Sequence, residues 1–572
     1  MDTFLKRIIQ RGSPFELQDA VINGIPCKIF PRGPQTLQDV FMKATSFAQC
    51  EFIVSENTRM SFRQALVQAN QFAYTLRQQY GVLKGSRVAL LMEKCPEWAV
   101  AFMAIYFAGA VAVTVQSDDA TQAVLTGFDD ANCALIITDW QSAEKHESIL
   151  SSYPVVVIYK VKYPKTTSDG NERGNLGSNS TVFTLPEVTR GESALQFGRI
   201  PRPAPDDEAL ITFTSGTTGP PKGVLFSHRN MTTGLMNMML GGILMSSRAA
   251  KNRTGDKTVT SNLPPCSLLL SPLSHFGGYA QLLLMCYLGG KIVLMSRWDV
   301  HQALTLIERE RVRSLNGASP SMIRELLRVD HTDFNLRSLT NLNIYGAALK
   351  ESFIREVMAE FPYMNIGTGY GMTETCGSVS NVSGTELLKN PGTSGQVLPS
   401  VDIKVIDDAG RELSREELGE ICIRGAMVME RYCIDSNITA EVIKNGWLRT
   451  GDMGRLDSDG HLYITDRLDE VIFWDNNRIS AGELERLACE HHMIDEAIVL
   501  GLPSVQYCEN IVLAALPRNQ LHIDERELKR ELSLRMANLP FAPKIIFYKS
   551  FPRTVSGKVN RNELRRQVMA EF

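Results

Sequence analysis

Residues 214–223 read Thr-Ser-Gly-Thr-Thr-Gly-Pro-Pro-Lys-Gly, and the interpretation of the whole chain starts from this stretch. The apolar run ALITF precedes it and the run GVLFS follows it, which predicts a loop between two buried strands. Such a loop offers many backbone N–H groups and hydroxyls to a polyphosphate, and its lysine adds a positive charge. The G-x-x-x-x-G-K-[ST] spacing of a Walker A loop is absent. A mobile linker is the alternative for this composition, but the flanking strands and the lysine favour phosphate binding.

The composition excludes several classes of protein. The 572 residues suggest roughly three structural units, and 60 basic against 63 acidic residues give a net charge of −3. This balance argues against a nucleic-acid binder and a polybasic membrane anchor. The 11 cysteines contain no C-x-x-C pair, which argues against a zinc site and indicates free thiols in a reducing compartment. Because charged residues interrupt the apolar residues at the N-terminus, no secretory signal is predicted, and the expected location is the cytoplasm.

One uncharged stretch approaches the length of a membrane span. Residues 98–116 read WAVAFMAIYFAGAVAVTVQ. β-Branched residues are concentrated in the second half, and Asp118 and Asp119 follow rather than basic residues. We therefore expect a buried helix that turns at Gly109 into a buried strand, and no membrane span.

Short apolar strands alternate with amphipathic helices through most of the chain. This rhythm predicts sheets covered by helices on both faces. A β-rich region with the runs VDIKVID, GEICIRG and GHLYITD ends near residue 466, and a smaller unit of about one hundred residues follows. Residues 466–469 are interpreted as a hinge between a large and a small domain, and ligand sites favour such interfaces.

Three further motifs follow the first one in order. Residues 370–374 read Tyr-Gly-Met-Thr-Glu, residues 450–452 read Thr-Gly-Asp, and residues 552–558 read Pro-Arg-Thr-Val-Ser-Gly-Lys. Together with residues 214–223 and Arg467, they resemble the signatures of the adenylate-forming enzymes. That family includes acyl-CoA synthetases, luciferases and the adenylation domains of peptide synthetases. Five motifs in the right order and spacing make a chance match very improbable.

The resemblance implies a fold. It implies an α/β protein whose large N-terminal domain, residues 1–466, contains two α/β sheets and a β-rich subdomain. It also implies a small mobile C-terminal α+β lid, residues 467–572, with its hinge near Asp469. It further implies ATP, Mg²⁺ and CoA, or the phosphopantetheine of a carrier protein, as cofactors and substrates.

The same resemblance assigns roles around the phosphates. Glu374 would supply an oxygen ligand to Mg²⁺ beside the Thr373 hydroxyl, because this metal prefers hard oxygen donors. A local helix cap is the alternative role for Glu374. Tyr370 would stack on adenine, although core packing is the usual role of a single tyrosine.

Three residues nearer the C-terminus complete the implied site. Asp452 would accept both ribose hydroxyls, Arg467 would reach the ribose or a phosphate, and Lys558 would bridge the acid carboxylate and the α-phosphate. The alternatives are a generic loop aspartate, an interdomain salt bridge and a solvated surface lysine. His275 resembles the residue that gates access of the carboxylate to the acyl pocket, and a core histidine is its alternative.

The implied site residues fall into two groups. The catalytic residues are Lys558, Glu374, Thr373 and His275, of which Glu374 is also the metal ligand. The nucleotide-binding residues are Thr214, Ser215, Gly216, Thr217, Thr218, Gly219, Lys222, Gly346, Ala347, Tyr370, Gly371, Met372, Asp452 and Arg467. Tyr345, before Gly346, stands where the family more often has glycine.

The segment after the hinge departs from the acyl-CoA synthetase pattern. Asp466 replaces a glycine, Phe473 replaces a lysine, and Asp475 and Asn476 replace a pair of glycines. In the family this segment lines the pantetheine tunnel, so the added side chains are expected to narrow it. The run GELE at residues 482–485 also resembles adenylation domains that load carrier proteins.

The sequence predicts an AMP-forming acid–thiol ligase. An apolar acid, fatty or related, would react with ATP to give an acyl adenylate, and CoA would then give the thioester. One alternative is an adenylating enzyme that loads an acyl carrier protein. Others are a degenerate adenylate-binding protein and a luciferase-like oxygenase.

Overall fold

A computed structural model of the chain describes most of the sequence. The described residues are 3–56, 58–159, 180–185, 201–214, 222–252, 264–344, 349, 351–433, 436–474, 477–504, 508–518, 524–535, 544–553 and 559–571.

The first part of the chain supplies a two-stranded ribbon and the strands of a parallel sheet. In order, its elements are α1 (Thr3–Ile9), β1 (Gln18–Ile22), β2 (Ile25–Ile29), α2 (Leu37–Lys43), β3 (Glu51–Val54), β4 (Arg59–Ser61), α3 (Phe62–Gln78), β5 (Arg87–Leu91), α4 (Pro96–Ala108), β6 (Val111–Val115), α5 (Thr121–Ala131), β7 (Leu135–Asp139), α6 (Trp140–Lys145), α7 (Glu147–Leu150), β8 (Val155–Tyr159) and β9 (Ser180–Thr184).

The middle part begins with the strands that bracket residues 215–221. Its elements are β10 (Glu208–Phe213), β11 (Gly223–Ser227), α8 (His228–Asn252), β12 (Cys266–Leu269), α9 (Phe276–Leu288), β13 (Lys291–Leu294), α10 (Val300–Glu310), β14 (Ser314–Asn316), α11 (Pro320–Arg328), β15 (Asn341–Asn343), α12 (Glu351–Glu360), β16 (Asn365–Met372), β17 (Gly377–Ser383), α13 (Thr385–Lys389) and β18 (Thr393–Val397).

The last part is richer in antiparallel strands. Its elements are β19 (Asp402–Ile406), β20 (Gly419–Arg424), β21 (Arg431–Tyr432), α14 (Ser436–Val442), β22 (Ile443–Lys444), β23 (Trp447–Leu456), β24 (His461–Arg467), β25 (Ile472–Trp474), β26 (Asn477–Ile479), α15 (Ala481–Cys489), β27 (Ile494–Ser504), β28 (Cys508–Pro517), α16 (Glu525–Arg535), β29 (Lys544–Phe547) and α17 (Arg561–Glu571).

The chain forms two compact units. Among the described residues, the first unit contains residues 3–402 and 424–446, and the second contains 403–423 and 447–571. The predicted boundary at residue 466 remains a prediction.

Two large sets of paired strands make up the first unit. One follows the order β21-β11-β10-β6-β5-β7-β8-β9, parallel from β10 to β9 and antiparallel at β11 and β21. The other follows the order β18-β17-β16-β15-β14-β12-β13-β3-β4, with a parallel centre and antiparallel ends. Parallel neighbours need long crossovers, and those that lie within the described residues contain helices, so the strands are covered and apolar.

The uncharged run at residues 98–116 forms a helix and a strand, as predicted. Every residue from Trp98 to Ala108 is buried in α4, and β6 is buried along its whole length. Gly109 ends the helix in the left-handed conformation, with φ of +81°, which glycine adopts without strain. None of the helices in the described part of the chain combines the length and apolar character that a bilayer crossing requires.

The second unit contains two sets of strands. One follows the order β19-β20-β23-β24, and the other follows β26-β25-β28-β27 with β29 parallel to β28. Helix α15 packs its buried Ala481, Leu484 and Ala488 into the core of the latter sheet. The predicted fold class, an α/β protein with two α/β sheets, a β-rich region and a smaller α+β unit, is confirmed.

Candidate active site

The strands around residues 215–221 form an antiparallel hairpin that fixes both ends of this loop. The N–H of Thr214 donates to the carbonyl of Lys222 at 3.0 Å, and the N–H of Lys222 donates to Thr214 Oγ1 at 3.3 Å. Gly223 begins β11 opposite Phe213, and a Cβ at this glycine would lie 3.0 Å from that ring. The loop is therefore held at a closed, tightly packed stem.

The Tyr-Gly-Met-Thr-Glu motif forms a tight turn between β16 and β17. A Cβ on Gly371 would lie only 2.0 Å from the carbonyl oxygen of Gly377, so the strands can meet only if the position is glycine. The N–H of Met372 donates to Thr375 Oγ1 at 3.1 Å and closes the turn. Glu374 lies in the short 3-10 helix Thr373–Thr375, with 8% of its surface exposed.

Three contacts hold Glu374 and its surroundings together. Its backbone carbonyl accepts from the N–H of Met429 at 2.8 Å, and its Oε1 accepts from the hydroxyl of Tyr432 at 2.8 Å. The ammonium of Lys222 lies 5.3 Å from the centroid of the Tyr432 ring, within cation–π range. Tyr432 thus contacts both the predicted metal ligand and the predicted phosphate lysine.

His275 lies immediately before α9, beside both hairpins. The hydroxyl of Thr212 donates to the carbonyl of Ser274 at 3.4 Å, which joins β10 to this segment. Phe276 packs closely on Gly377, because a Cβ on Gly377 would lie 2.4 Å from the Phe276 ring. His275 is therefore placed between the loop stem and the Glu374 turn.

Contacts join Thr214 to Lys222 and, through Tyr432, Lys222 to Glu374. Tyr370, Gly371, Met372 and Thr373 immediately precede Glu374, at the end of β16 and in the short 3-10 helix. His275 lies between Ser274 and Phe276, which contact the two hairpins.

Asp452 and Arg467 meet in the second unit. They lie opposite each other on β23 and β24, with Arg467 Nε 3.4 Å from Asp452 Oδ1. Gly451 has φ of +72° and donates its N–H to Glu420 Oε1 at 3.2 Å. The N–H of Asp452 donates to Thr450 Oγ1 at 3.0 Å, so the Thr-Gly-Asp segment of β23 holds a buried carboxylate in place.

Several predicted residues lie outside the described part of the chain. They are Ser215, Gly216, Thr217, Thr218, Gly219, Gly346, Ala347 and Lys558, together with Tyr345, Asp475 and Asn476.

The described residues on either side of Lys558 contact each other. Arg553 and Val559 form an antiparallel bridge, and the N–H of Asn560 donates to the carbonyl of Pro552 at 2.8 Å. The guanidinium of Arg553 pairs with Glu496 on β27. Arg553, which precedes the Lys558 segment, is thereby attached to β27 of the second unit.

The sequence profile described as "AMP-binding enzyme" matches residues 40–433, more than half of the chain. The chain belongs to the AMP-binding enzyme family.

Curated relatives of this AMP-binding enzyme are acid–CoA ligases. It is 27% identical over 494 residues to 4-coumarate–CoA ligase 4 of Arabidopsis thaliana, which covers 85% of this chain and 82% of the relative. It is 27% identical over 517 residues to the long-chain-fatty-acid–CoA ligase FadD13 of Mycobacterium tuberculosis, covering 90% and 94%.

Solved structures confirm the fold. o-Succinylbenzoate CoA synthetase (MenE) of Bacillus subtilis with its acyl-adenylate intermediate has a TM-score of 0.70 at 24% identity, covering 91% of this chain and 97% of that one. ATP-bound MatB of Rhodopseudomonas palustris has a TM-score of 0.75 at 21% identity, covering 93% and 99%.

The carboxylate oxygens of this AMP-binding enzyme suit a metal ion that binds together with a nucleotide. Among the described residues, no group of three or more His, Cys, Asp or Glu side chains is arranged to hold an ion. Within the same residues, Oε1 of Glu374 has a hydrogen-bond partner and Oε2 has none. A Mg²⁺ that is coordinated mainly by phosphates needs only one or two protein carboxylates. Glu374 fits that requirement.

Sequence reasoning missed Tyr432 and Lys94. Tyr432 lies 58 positions from Glu374, and no local pattern marks it. The ammonium of Lys94 donates to the carbonyls of Leu269 at 3.2 Å and Leu270 at 3.0 Å, where β12 leads toward His275. Burial lowers the pKa of Lys94 to about 8. Glu93 directly precedes Lys94 and Glu97 follows three positions later, so the local sequence did not indicate that this lysine is buried.

The structure gives Asp466 a role within the second unit. Its Oδ1 accepts from the N–H of Gly482 at 2.7 Å, at the start of α15. A Cβ at Gly482 would lie 2.4 Å from the carbonyl of Thr465, so the close approach needs glycine at this position. Burial raises the pKa of Asp466. The departure from glycine at residue 466 therefore adds an anchor for the helix that follows the predicted hinge.

Proposed function

We propose that this protein is an AMP-forming acid–thiol ligase that activates an apolar carboxylic acid with ATP and transfers the acyl group to CoA. The observation that carries the proposal is the Lys222–Tyr432–Glu374 arrangement beside the closed stem of the loop at residues 215–221. It places a cation and a carboxylate beside a Gly/Ser/Thr-rich loop. A polyphosphate and its divalent cation require that combination.

In the first half-reaction the acid carboxylate attacks the α-phosphate of ATP, and pyrophosphate leaves. The protein contributes position and charge rather than a nucleophile. In the proposal, Lys222 and the loop bind the phosphates, and Glu374 holds a Mg²⁺ whose charge offsets that of the phosphates. Tyr370 with Gly346 and Ala347 borders adenine, and Asp452 and Arg467 bind the ribose. His275 gates the acid, and Lys558 neutralises the reacting oxygens.

In the second half-reaction the thiol of CoA attacks the acyl carbonyl, and AMP leaves. The thioester C–S bond forms as the mixed anhydride C–O bond breaks, and the thiol proton is released. The relatives act, by name, on 4-coumarate and on long-chain fatty acids. Both acids have apolar bodies, which supports an apolar acid here. We also propose a cytoplasmic location, with no nucleic-acid partner.

The decisive experiment measures ATP–pyrophosphate exchange across a panel of acids. The panel contains fatty acids of increasing length, hydroxycinnamic acids, benzoic acids and amino acids, each with and without Mg²⁺. We expect exchange with an apolar acid, and CoA thioester formation by mass spectrometry from the same acid. Exchange with amino acids alone would contradict the apolar assignment. Absence of exchange with every acid would contradict adenylation itself.

Transfer to a carrier protein is a second candidate for the thiol step. Acyl-CoA synthetases have a lysine where this chain has Phe473, and a pair of glycines where it has Asp475 and Asn476. This departure favours the carrier-protein candidate. An assay that contains both a holo acyl carrier protein and free CoA shows which of the two thiols accepts the acyl group. If these side chains only obstruct CoA, Asp475→Gly with Asn476→Gly raises CoA turnover severalfold and leaves pyrophosphate exchange unchanged. Unchanged or slower CoA turnover would refute obstruction.

A further inference from the structure

Tyr432 is the residue through which two predicted parts of the phosphate site contact each other. Its ring carries the Lys222 ammonium, and its hydroxyl donates to Oε1 of Glu374. Only 6% of its surface is exposed, so water competes little for either contact.

The strand pairing explains why the ring lies beside Lys222. Tyr432 pairs with Val224 across β21 and β11, and the N–H of Cys433 donates to the carbonyl of Gly223 at 2.8 Å. Lys222 lies two positions before Val224 and therefore on the same face of the strand. It is the diagonal neighbour of Tyr432, a separation that long and aromatic side chains can span.

The backbone of this segment is held independently of the tyrosine hydroxyl. The N–H of Met429 donates to the Glu374 carbonyl at 2.8 Å, and the N–H of Tyr432 donates to Thr439 Oγ1 at 2.9 Å. Loss of the hydroxyl should therefore leave the backbone in place.

We propose that Tyr432 is a positioning residue that aims the free oxygen of Glu374 and the ammonium of Lys222 at the phosphates and their divalent cation. The hydrogen bond to Oε1 restricts rotation of the carboxylate, so that Oε2 presents a fixed lone pair. The ring restrains the lysine, whose long side chain would otherwise lose more conformational freedom on binding. This inference rests on the proposed function of Glu374 and Lys222.

The test separates the hydroxyl from the ring. Tyr432→Phe removes only the hydrogen bond, and Tyr432→Leu removes the ring as well. Tyr153→Phe is the matched control, because Tyr153 also donates to a carboxylate, that of Asp129, elsewhere in the first unit. Binding of α,β-methylene-ATP, whose α–β bridge cannot be cleaved to transfer the adenylyl group, is measured by calorimetry with and without Mg²⁺.

We expect Tyr432→Phe to weaken binding of the Mg²⁺ complex about tenfold, as for loss of one hydrogen bond to a charged group. Binding of the metal-free nucleotide should change less than about twofold. Tyr432→Leu should weaken both, because Lys222 loses its restraint. Tyr153→Phe should change neither. In a Glu374→Gln background, Tyr432→Phe should have little further effect.

Three results would overturn the inference. They are unchanged Mg²⁺-dependent binding in Tyr432→Phe, equal weakening with and without metal, and additive effects of Tyr432→Phe and Glu374→Gln. Equal weakening together with a lower melting temperature would show a merely structural role. If the wild-type protein binds no nucleotide, the proposed function fails first, and this outcome is distinct from the other three.

Discussion

Arg561 holds the start of α17, which follows Lys558 in the chain. Arg561, three positions after the lysine, begins α17 and donates to Glu485 at 2.6 Å and to the Val499 carbonyl at 3.2 Å. Its Nε lies 3.2 Å from Glu470, next to the predicted hinge residue Asp469. These contacts anchor the start of α17 to α15 and β27.

At the residue scale we predict that Lys558→Ala impairs the first half-reaction and largely spares the second. Adenylate formation from acid and ATP should fall at least about a hundredfold, because a positive charge is lost at the reacting oxygens. Thioester formation from supplied acyl adenylate should stay within a few-fold of wild type. Pyrophosphate exchange and CoA-thioester assays measure the two steps.

Lys549→Ala, at an exposed lysine after β29, serves as the control and should affect neither step. Equal loss of both half-reactions in Lys558→Ala would refute the assigned role.

At the scale of a secondary-structure element, helix α8 follows β11 in the chain and packs against the turn that contains Glu374. A Cβ on Gly234 would lie 2.4 Å from the Cys376 carbonyl, two residues after Glu374. A Cβ on Gly242, two turns further along the same helix, would meet nothing within 4 Å. The helix therefore contains one glycine that packing requires and one that it does not.

We predict that Gly234→Ala and Gly242→Ala shift stability in opposite directions. Gly234→Ala overpacks a backbone contact and should lower the free energy of unfolding by about 1–3 kcal/mol. It should also slow adenylation by displacing the Glu374 turn. Gly242→Ala should raise the free energy of unfolding by about 0.5–1 kcal/mol, because alanine restricts the unfolded chain and favours helix. Thermal melts of both variants measure this, and a stable Gly234→Ala would contradict the close packing.

The same helix also corrects a prediction made from sequence. The polar composition of residues 246–262 predicts a surface loop, but α8 continues to Asn252. The run SRAAK contains good helix formers and neither glycine nor proline, so a polar composition here does not end the helix.

At the scale of the whole molecule, a buried acid makes the second unit sensitive to pH. The Glu485 side chain is 17% exposed, and its Oε1 accepts from the Val499 N–H as well as from Arg561. Burial raises the pKa of Glu485 to about 7 from an ordinary value of 4.5. The folded protein therefore retains this proton at pH values where the unfolded chain has lost it.

The sign of the effect follows from linkage. Protonation of Glu485 stabilises the fold fully below pH 4.5, and this contribution is lost as the pH rises through 7. Glu485→Gln mimics the protonated acid at every pH. Relative to wild type, we predict that the variant gains up to about 3 kcal/mol between pH 5 and pH 8.

Thermal melts of the full chain across this pH range measure the difference. Glu490→Gln, in an exposed pair with Arg486, is the control and should give a flat difference. A flat difference for Glu485→Gln would show that the acid is ionised throughout.

Much of the fold could be predicted from the pattern of apolar residues in the sequence and from the residues that end helices and strands. The uncharged run from Trp98, split at Gly109, predicted α4 and β6, and the apolar runs on either side of residues 215–221 predicted β10 and β11. These signals are local, because a continuous apolar run and a glycine that ends a helix are both recognised from neighbouring residues in the sequence.

The sequence by itself determined the family, the α/β fold class and the residue types of the site, because each motif is short and continuous in the chain. Only the tertiary structure decided which distant residues serve those motifs: Tyr432 beneath Lys222 and Glu374, Lys94 at the end of β12, and Arg561 between Glu470 and Glu485. These contacts are made by single side chains tens or hundreds of positions apart. The register between β21 and β11 brings Tyr432 to Lys222, and no periodic pattern in the sequence predicts that register.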